Sequence, residues 1–335
     1  MPIYHSILII KPGAIGDLLQ MEPVIRELTR QYPHARITML VGSRVTAELF
    51  RHHPHVAETI LFDRKGEHRS VAGLSRLWRR IRGGGYDLVL NFQRSNVKNW
   101  ILVSAAFPCR VLIYHKSRKT VIHAVADHLK TLAPLGISSD DLGLEFFTSP
   151  QAELSAERLF RENDLTHKKV VALNPGASHP VNRWDPRQFA QLADRLAEES
   201  GINVMVIGGK EDLPLAEKIA AFSRSRLLLL TGKTTLSELG SILKRCDLLV
   251  SGDTGPMHLA SAVGTRVVAL FGAADPVRTG PVGEGDRVIQ SATVACVPCR
   301  SRNCANPRYL ECMEKIAVDE VYEAVTGFFE KRDGP

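Results

Sequence analysis

Long hydrophobic runs are absent from this sequence, which argues against a membrane-embedded protein. No apolar run approaches the roughly 18 residues that a membrane span requires. The first residues, Met1 to Ser6, lack the basic region that opens a signal peptide, and the apolar run after them stops at Lys11-Pro12-Gly13. The chain has 44% apolar and 24% charged residues, as soluble globular proteins do. We therefore expect a cytosolic protein.

Complete nucleotide-binding fingerprints are also missing. Gly232-Lys233-Thr234 resembles the end of a Walker A loop, but Leu227 stands where that loop requires a glycine. Gly13-Ala14-Ile15-Gly16 is only half of a dinucleotide-binding fingerprint. No RNP, zinc-finger or helix-turn-helix pattern accompanies the basic residues. These absences disfavour an ATPase, a nicotinamide enzyme and a nucleic-acid-binding protein.

Acidic residues are scarce in one part of the chain. Residues 60–130 contain 14 Lys and Arg against 4 Asp and Glu, an excess of +10, whereas the whole chain carries +7. Such an asymmetry indicates an anionic partner, for example a phosphorylated substrate or a membrane surface. Residues 74–82 carry arginines together with leucine, tryptophan and isoleucine, so a helix there could rest on an anionic bilayer. The alternative is a solvated helix face.

The order of apolar strands and amphipathic helices indicates the fold class. A chain of 335 residues fits two domains of about 150 residues each. Strand and helix patterns alternate from Ser6 to Leu132 and again from Lys169 to the C-terminus, while residues 138–166 contain several turn formers. This alternation predicts an α/β protein with two doubly wound parallel sheets and helices on both faces of each.

One turn, Ser251 to His258, has the pattern of an anion site. It follows the apolar run Asp247–Val250 and precedes a short helix that Gly264 ends. Pro256 suits the first turn of that helix. The N–H groups of Thr254, Gly255 and Met257 would then fan out at a helix N-terminus, a common phosphate site, and His258 could add a donor. The alternative is a structural turn in which Asp253 caps the helix.

Several short motifs run in order along nearly the whole chain: Lys11-Pro12-Gly13-Ala14-Ile15-Gly16-Asp17, Asn174-Pro175-Gly176-Ala177, Arg183-Trp184, Asp253-Thr254-Gly255-Pro256-Met257-His258, Ala269-Leu270-Phe271-Gly272 with Asp275-Pro276, and Thr279-Gly280-Pro281. Together they resemble glycosyltransferase family 9, which contains the ADP-heptose:lipopolysaccharide heptosyltransferases. The resemblance implies a GT-B fold, in which two Rossmann-like domains face across a cleft. It implies an acceptor-binding domain at 1–150, a donor domain at 165–315, and a helix at 316–335 that could pack back on the N-terminal domain.

The resemblance also implies roles for matching residues. Asp17 corresponds to the general base that takes the acceptor's proton as its oxygen attacks the anomeric carbon with inversion. An acid at Glu211 or Asp212 would bind ribose hydroxyls. The family commonly has a lysine where this sequence has Asn182, so Arg183 or Lys11 would supply the cation, or donor binding is weaker, or the donor differs. The residues expected to bind the donor are Lys11, Ala177, Ser178, Arg183, Glu211, Asp212, Asp253, Thr254, Gly255 and His258.

Four of the six cysteines lie close together in the sequence. Cys296, Cys299, Cys304 and Cys312 form a C-x2-C-x4-C-x7-C pattern, while Cys109 and Cys246 stand alone. Disulfides are uncommon in cytosolic proteins, and four thiolates in a short loop could hold zinc or iron in a structural site. A reduced loop without metal is the alternative.

The function implied by the resemblance is heptosyl transfer. The donor would be ADP-L-glycero-D-manno-heptose, and the acceptor the inner core of lipopolysaccharide, with Kdo or heptose on lipid A, at the cytoplasmic face of the inner membrane. No cofactor is expected for the transfer itself, and no nucleic acid is expected as a partner. The alternatives are a relative with another nucleotide sugar or a protein acceptor, and a non-catalytic protein that binds nucleotide sugars.

Overall fold

The chain divides into two compact units, Met1–Phe147 and Thr148–Pro335. The computed structural model describes residues 3–93, 97–117 and 120–333. The division falls within the turn-rich stretch 138–166. The second unit begins before residue 165, because the helix α7, Pro150–Glu162, packs against a helix of that unit, Leu236–Leu243.

In its described residues, the first unit contains one parallel sheet of five strands. Its order is β3-β2-β1-β4-β5, and every pairing is parallel. The strands are β1 Ser6–Ile10, β2 Arg36–Val41, β3 Val56–Leu61, β4 Leu88–Asn91 and β5 Arg110–Ile113. The helices are α1 Ile15–Leu19, α2 Glu22–Gln31, α3 Arg44–Glu48, α4 Val71–Gly83, α5 Val97–Ser104 and α6 Ala124–Leu129, with 3-10 turns at Glu67–Arg69 and Lys130–Leu135.

The first helical segment differs from the sequence pattern. The pattern predicts one helix over 17–31, whereas the structure has α1 and α2, separated at Gln20 and Met21. Pro23 lies in the first turn of α2, where the missing N–H leaves no hydrogen bond unmade. The interruption leaves Asp17 on a short helix directly after β1.

The second unit repeats this architecture with six strands in its described residues. The order β11-β10-β9-β6-β7-β8 is that of a Rossmann sheet. The strands are β6 Val170–Asn174, β7 Asn203–Val206, β8 Leu228–Leu229, β9 Leu248–Gly252, β10 Arg266–Phe271 and β11 Arg287–Gln290. The helices after α7 are α8 Pro186–Ser200, α9 Leu213–Phe222, α10 Leu236–Leu243, α11 Gly255–Ala262, α12 Pro276–Thr279, α13 Glu311–Glu314 and α14 Val318–Asp333, with 3-10 turns at Pro180–Asn182 and Lys210–Asp212.

Helix α14 belongs to the core of the second unit. Its buried side chains Val321, Val325 and Phe329 lie in the same apolar cluster as residues of β6, β9 and α8, and the helix packs on α8. The expectation that the helix over 316–335 also packs on the N-terminal domain stays a prediction. Among the described helices, none combines the length and the apolar character of a membrane-spanning segment.

Each unit has a topological switch point. In the first unit the chain starts at β1, leaves it toward β2 and β3, and returns to its other side at β4. In the second unit the same occurs at β6 and β9. Loops that follow such adjacent strands run in opposite directions and leave a crevice between them, which is where open α/β sheets bind ligands. The residues after β1, β6 and β9 are therefore placed for binding.

Two buried groups of the first unit couple its stability to pH in opposite directions. Burial lowers the pKa of His53 from 6.5 to about 4, and the charge of His55 adds to the effect. The His53 contribution is present above pH 6.5 and is lost as pH falls through 4, because the unfolded chain takes up the proton first. Burial raises the pKa of Glu22 from 4.5 to about 7, so its contribution is present below pH 4.5 and is lost as pH rises through 7.

We expect His53→Phe to flatten the acid side of the stability profile. The His53 ring lies 4.9 Å from that of Phe147, and its buried Nε2 has no hydrogen-bond partner among the described residues. Its Nδ1 accepts the N–H of His55 at 3.2 Å, and because His55 is exposed, water can take that place when phenylalanine replaces His53. Between pH 6.5 and 4 the variant should lose less unfolding free energy than the wild type, by up to roughly 3 kcal/mol. Urea unfolding at several pH values measures this difference. Parallel pH profiles would contradict it.

Candidate functional site

The strand ends at the switch point of the second unit are joined by buried hydrogen bonds. Asn174, at the end of β6, donates from Nδ2 to Ser251 Oγ at 2.9 Å and to Thr254 Oγ1 at 3.1 Å. Ser251 Oγ and Thr254 Oγ1 are 3.0 Å apart. Because Asn174 and Ser251 are almost fully buried, breaking these bonds would leave polar groups unpaired in the interior. The network therefore fixes the start of α11 against the end of β6.

Helix α11 begins with its N–H groups directed out of this network. Thr254 is the N-cap in an extended conformation, but its hydroxyl makes no capping bond because it faces Asn174 and Ser251. The first N–H groups of a helix have no partner within it, here those of Gly255 and Met257, since Pro256 has none. They form a positive helix end at the carboxyl edge of the sheet. We call residues Asp253–His258 the donor turn.

The side chains of the donor turn do not converge on one point as a set of hydrogen-bond donors to a ligand would. Asp253 Oδ2 accepts a hydrogen bond of 3.1 Å from Thr279 Oγ1 of α12. His258 is buried, with 4% of its surface exposed. Thr254 is engaged with Asn174. The backbone of the turn, rather than its side chains, is thus the part that is built to meet an anion.

The turn after β6 is held by Arg183. Its Nε and Nη2 donate to the carbonyl oxygen of Ala177 at 3.0 and 2.7 Å. Ala177 is buried and Ser178 is exposed. Arg183 also lies close enough to Asp212 to oppose the rise in the pKa of that carboxyl that burial causes. The guanidinium of Arg183 therefore lies at the switch-point edge of the second sheet. Two of its nitrogen atoms, Nε and Nη2, fix the turn by hydrogen bonds.

Asn182 lies against the end of β9. Its carbonyl oxygen would be 2.4 Å from a Cβ atom at position 252, which explains why Gly252 stands there. The side-chain oxygen Oδ1 of Asn182 is buried and has no hydrogen-bond partner among the described residues. Asn182, the position at which the resemblance implies a lysine, therefore lies beside the donor turn.

The two adjacent acids after β7 have different surroundings. Asp212 is buried, its Oδ2 accepts the Gly209 N–H at 2.9 Å, and its carboxylate would clash with any Cβ at Gly176. Burial raises the pKa of Asp212, while the Gly209 hydrogen bond and Arg183 oppose that shift. Glu211 is exposed, with its carboxyl over Gly209. Of the pair, Glu211 is placed to bind a ligand and Asp212 is a structural cap.

The switch point of the first unit carries Asp17 and Lys11. Asp17 lies in the first turn of α1, and its side chain is 51% exposed. The Nζ of Lys11 is 3.6 Å from Asp17 Oδ1, and Lys11 is 12% exposed. A Cβ at Gly13 would lie 2.9 Å from that of Asp17, so the turn needs glycine there. An accessible carboxylate held beside an ammonium group can accept a proton from a bound hydroxyl.

The model of glycosyltransferase family 9 (heptosyltransferase) matches residues 74–310, more than half of the chain. The chain belongs to glycosyltransferase family 9. This family 9 enzyme is 28% identical over 323 residues to lipopolysaccharide heptosyltransferase 3 of Escherichia coli (strain K12), an alignment that covers 88% of this chain and 90% of the relative. The predicted family and the prediction of a glycosyltransferase are confirmed.

Solved structures with similar folds confirm the GT-B fold. The glycosyl transferase family 9 protein from Veillonella parvula DSM 2008 superposes with a TM-score of 0.88 at 23% identity, over 99% of both chains. The E. coli ADP-heptose LPS heptosyltransferase II superposes with a TM-score of 0.81 at 21% identity, over 98% of this chain and 100% of that one. The family 9 enzyme therefore contains two Rossmann-like domains, as the sequence predicts.

A buried aromatic and histidine group in the family 9 enzyme was not predicted from the sequence. His128 lies within 5.4 Å of Phe92 and 5.1 Å of Tyr114, measured between ring centroids. Burial, and after it the charge of nearby Lys11, lower the pKa of His128 to about 3, so the ring is neutral at pH 7. Residues from β4, β5 and α6 meet beside Lys11 only in the folded sheet. The alternation of strands and helices in the sequence predicts that these residues lie at one edge of the sheet. It does not predict that they contact one another.

The four cysteines are free thiols with unequal exposure. Cys296 and Cys299 are exposed, Cys304 is intermediate and Cys312 is buried against Gly272. Within the described part of the chain, no group of three or more His, Cys, Asp or Glu side chains is placed to hold a metal ion. The four cysteine side chains, as placed in this structure, thus do not form the metal site that their sequence spacing suggests. Metal binding by the family 9 enzyme remains a prediction.

Proposed function

We propose that this enzyme transfers heptose from ADP-L-glycero-D-manno-heptose to the inner core of lipopolysaccharide, with inversion at the anomeric carbon. The observation that carries the proposal is the outward-facing start of α11, fixed to β6 by the buried Asn174 bonds at the switch point. Its N–H groups suit a diphosphate. The names of similar proteins, including lipopolysaccharide heptosyltransferase 3, support heptose as the transferred sugar.

In the proposed reaction the donor turn stabilises the leaving group. The bond between the anomeric carbon and the diphosphate oxygen breaks, and ADP leaves with the electron pair. The N–H groups of Gly255 and Met257 would stabilise the negative charge that develops on the diphosphate. Arg183 would add a positive charge at the same sheet edge, and Glu211 would accept hydrogen bonds from ribose hydroxyls.

Asp17 would act on the acceptor. Its carboxylate takes the proton of the acceptor hydroxyl while that oxygen forms the new bond to the anomeric carbon. Lys11, at 3.6 Å, keeps the carboxylate oriented. The products are the glycosylated acceptor and ADP, with the proton on Asp17 released to solvent afterwards.

We expect the purified enzyme to prefer ADP-heptose among nucleotide sugars. Incubation with a Kdo-bearing lipid A acceptor and equal concentrations of ADP-heptose, ADP-glucose, UDP-glucose or GDP-mannose should give a heptosylated product that mass spectrometry identifies. ADP should be the tightest-binding nucleoside diphosphate in calorimetry. A faster reaction with another donor would overturn the choice of ADP-heptose, and transfer to a protein alone would overturn the choice of acceptor.

A different nucleotide sugar is the second candidate, because of Asn182. The buried Oδ1 of Asn182, which finds no partner within the described part of the chain, can only accept hydrogen bonds, whereas a lysine would supply a positive charge at that place beside the donor turn. Asn182→Lys should strengthen the binding of ADP if the donor diphosphate reaches this residue. Weaker ADP binding by that variant would favour a donor of different structure.

The proposed acceptor is part of a lipid, and one face of the first unit fits a lipid surface. Trp78 Nε1 of α4 donates to Ser104 Oγ of α5 at 3.4 Å, so the two helices lie side by side. Arg82 of α4 donates to the carbonyl oxygen of Phe107, which follows α5 and has an exposed side chain. Further exposed arginines lie on α4, and further exposed apolar side chains lie on α5. We call this the α4–α5 face, and its residues are Arg76, Arg79, Arg82, Trp100, Ile101 and Phe107. Basic and aromatic side chains together are typical of surfaces that bind anionic bilayers.

We expect Arg79→Gln with Arg82→Gln to weaken vesicle binding. Each basic residue near an anionic surface contributes about 1 kcal/mol, so the double variant should bind phosphatidylglycerol-containing vesicles roughly thirtyfold less tightly. Vesicle co-sedimentation at low salt measures the change. Arg158→Gln with Arg161→Gln, exposed on α7, is the matched control and should bind like the wild type. Equal binding to pure phosphatidylcholine vesicles would contradict the proposed membrane contact.

A further inference from the structure

The segments that follow three neighbouring strands of the first sheet meet at His128 of α6. Strands β1, β4 and β5 lie side by side, with β4 in the middle. The ring of His128 lies 5.4 Å from that of Phe92, directly after β4, and 5.1 Å from that of Tyr114, directly after β5. Its Nδ1 lies 3.5 Å from the carbonyl oxygen of Gln20, at the end of α1, the helix that follows β1. One buried side chain therefore contacts all three segments.

The contact with Gln20 fixes where the histidine ring carries its hydrogen. A carbonyl oxygen can only accept a hydrogen bond, so Nδ1 of His128 is the donor. The ring is almost fully buried, and its pKa of about 3 keeps it neutral at pH 7, so Nε2 carries no hydrogen. We therefore expect the Nδ1–H tautomer of His128.

The turn from Lys11 to Gln20 carries Asp17, and both of its ends lie near His128. Lys11 is close enough for its positive charge to lower the pKa of His128. The Nζ of Lys11 is 3.6 Å from Asp17 Oδ1, and the N–H of Ala14 donates to Asp17 Oδ2 at 3.4 Å. The Asp17 carboxylate is thus held from within a turn whose ends both adjoin the buried ring.

Helix α1 depends on outside contacts for its position because it is short. It spans five residues, Ile15–Leu19, and stops at Gln20. A helix of this length is not stable alone, and the last carbonyl groups of a helix have no partner within it. Gln20 is buried, so the His128 N–H at its carbonyl oxygen satisfies a polar group and ties α1 to α6. The position of Asp17, in the first turn of α1, depends on that tie.

Helix α6 is itself held at the sheet edge by Asp127. Its buried carboxylate accepts the Tyr114 hydroxyl at 2.6 Å and the Ser117 hydroxyl at 2.5 Å. The N–H of Ser117 also donates to Asp127 Oδ2, at 3.1 Å. Tyr114 and Ser117 belong to the segment after β5, so these bonds fasten α6 independently of Gln20. A substitution of His128 should therefore leave α6 in place.

We propose that His128 is a positioning residue that fixes α1, and with it the Asp17 carboxylate, by donating from Nδ1 to the carbonyl oxygen of Gln20. The role of Asp17 as the base in this inference rests on the proposed function. A base must lie within hydrogen-bond distance of the proton that it takes, so a small displacement of α1 slows the transfer. The donor turn belongs to the other unit and does not depend on this contact. His128 should thus affect kcat rather than donor binding.

The test compares two substitutions of His128. His128→Phe keeps a ring beside Phe92 and Tyr114 but removes the donor, and it should lower kcat about tenfold, because a misplacement of about 1 Å costs up to about 10² in rate. The KM for the donor and the Kd for ADP should change less than about twofold. His128→Asn keeps an N–H donor near the Nδ1 position and should recover most of kcat. His34→Phe, at an exposed histidine of the same unit, is the matched control and should turn over like the wild type.

A double variant separates the positioning of Asp17 from any other effect of the ring. In the Asp17→Asn background the base is already absent, so adding His128→Phe should lower kcat less than about twofold further. A further tenfold loss in that background would overturn the proposal. So would a loss of kcat in His128→Phe that His128→Asn does not recover.

Two measurements on the nucleotide-free protein are independent of the reaction. Heteronuclear NMR of the histidine rings should show His128 neutral at pH 7 with its hydrogen on Nδ1, and a hydrogen on Nε2 alone would overturn the contact. The amides of Leu18 and Gln20, hydrogen-bonded within the turn, should exchange faster in His128→Phe than in the wild type. Unchanged exchange would show that His128 does not fix α1. Full turnover by Asp17→Asn would refute the proposed base but leave both of these readouts.

Discussion

Replacing Asp17 by asparagine should reduce kcat by about 10² to 10⁴, the range that a general base contributes. Asparagine has nearly the same shape but cannot take the acceptor's proton. The fold should be little affected, because the Lys11–Asp17 pair is long, half of the Asp17 side chain is exposed, and such pairs contribute less than about 1 kcal/mol. Steady-state transfer assays measure the loss, and calorimetry with ADP should show an unchanged Kd.

Asp140→Asn is the matched control for Asp17→Asn. Asp140 is an exposed aspartate of the same unit, away from the switch point, and its loss should leave turnover unchanged. Full turnover by Asp17→Asn would exclude the carboxylate as the base. Loss of ADP binding together with turnover would instead place Asp17 among the donor-binding residues.

Replacing Gly255 by proline should lower kcat/KM for the donor by about 10² to 10³, the cost of removing one preorganised N–H donor to a developing negative charge. Proline removes the first N–H of α11 and places ring carbons where the anion would lie. Thr254 has φ −149° and ψ 168°, the extended conformation favoured before proline, and Gly255 is the first residue of the helix, where proline is common. Pro256 restricts any residue other than glycine at position 255, and this cost is shared by the alanine variant described next.

Gly255→Ala separates the lost N–H from the added bulk. Alanine adds a Cβ and the same restriction before Pro256, but it keeps the N–H group. We expect its kcat/KM to lie within about tenfold of the wild type, because the oxyanion contact is intact. Thermal unfolding of both variants checks that α11 is retained. Equal losses in the two variants would show that space, rather than the N–H, limits donor binding.

The presence of two similar α/β units could be predicted from the sequence, because local patterns of apolar residues indicate the strands and helices of a parallel sheet. Each buried strand of a βαβ series is an apolar run, and each helix has one apolar side. These patterns predict strands over 169–173 and 266–271 and a helix over 186–200, which β6, β10 and α8 match to within one residue. Helix α7 was not predicted, and its membership of the second unit depends on its packing against α10. The split between α1 and α2 also escaped prediction, because helical spacing alone does not show where hydrogen bonding stops.

At the candidate site too, local sequence patterns do not predict the surroundings of individual side chains. Sequence resemblance could place either Glu211 or Asp212 at the ribose. In the structure Asp212 is buried against Gly176 and bonded to Gly209, whereas Glu211 is exposed, and ribose binding by either acid stays a prediction. Thr254 and His258 were predicted to bind the donor through the turn. The Thr254 hydroxyl faces Asn174 and the His258 side chain is buried, whereas the prediction for Thr254 concerns its N–H. Donor binding by these two residues stays a prediction.

The sequence by itself determined the family, the two α/β units and the edge of each sheet where ligands bind, because these depend on apolar periodicity and on short turns of fixed composition. Only the tertiary structure decided which side chains face that edge. The bonds of Asn174 to Ser251 and Thr254, and of Arg300 to Asp275, join residues from different strands and loops. These bonds form because the strand order brings the residues together and because buried polar groups need hydrogen-bond partners. Strand order and burial are properties of the whole fold, so no single stretch of the sequence reveals them.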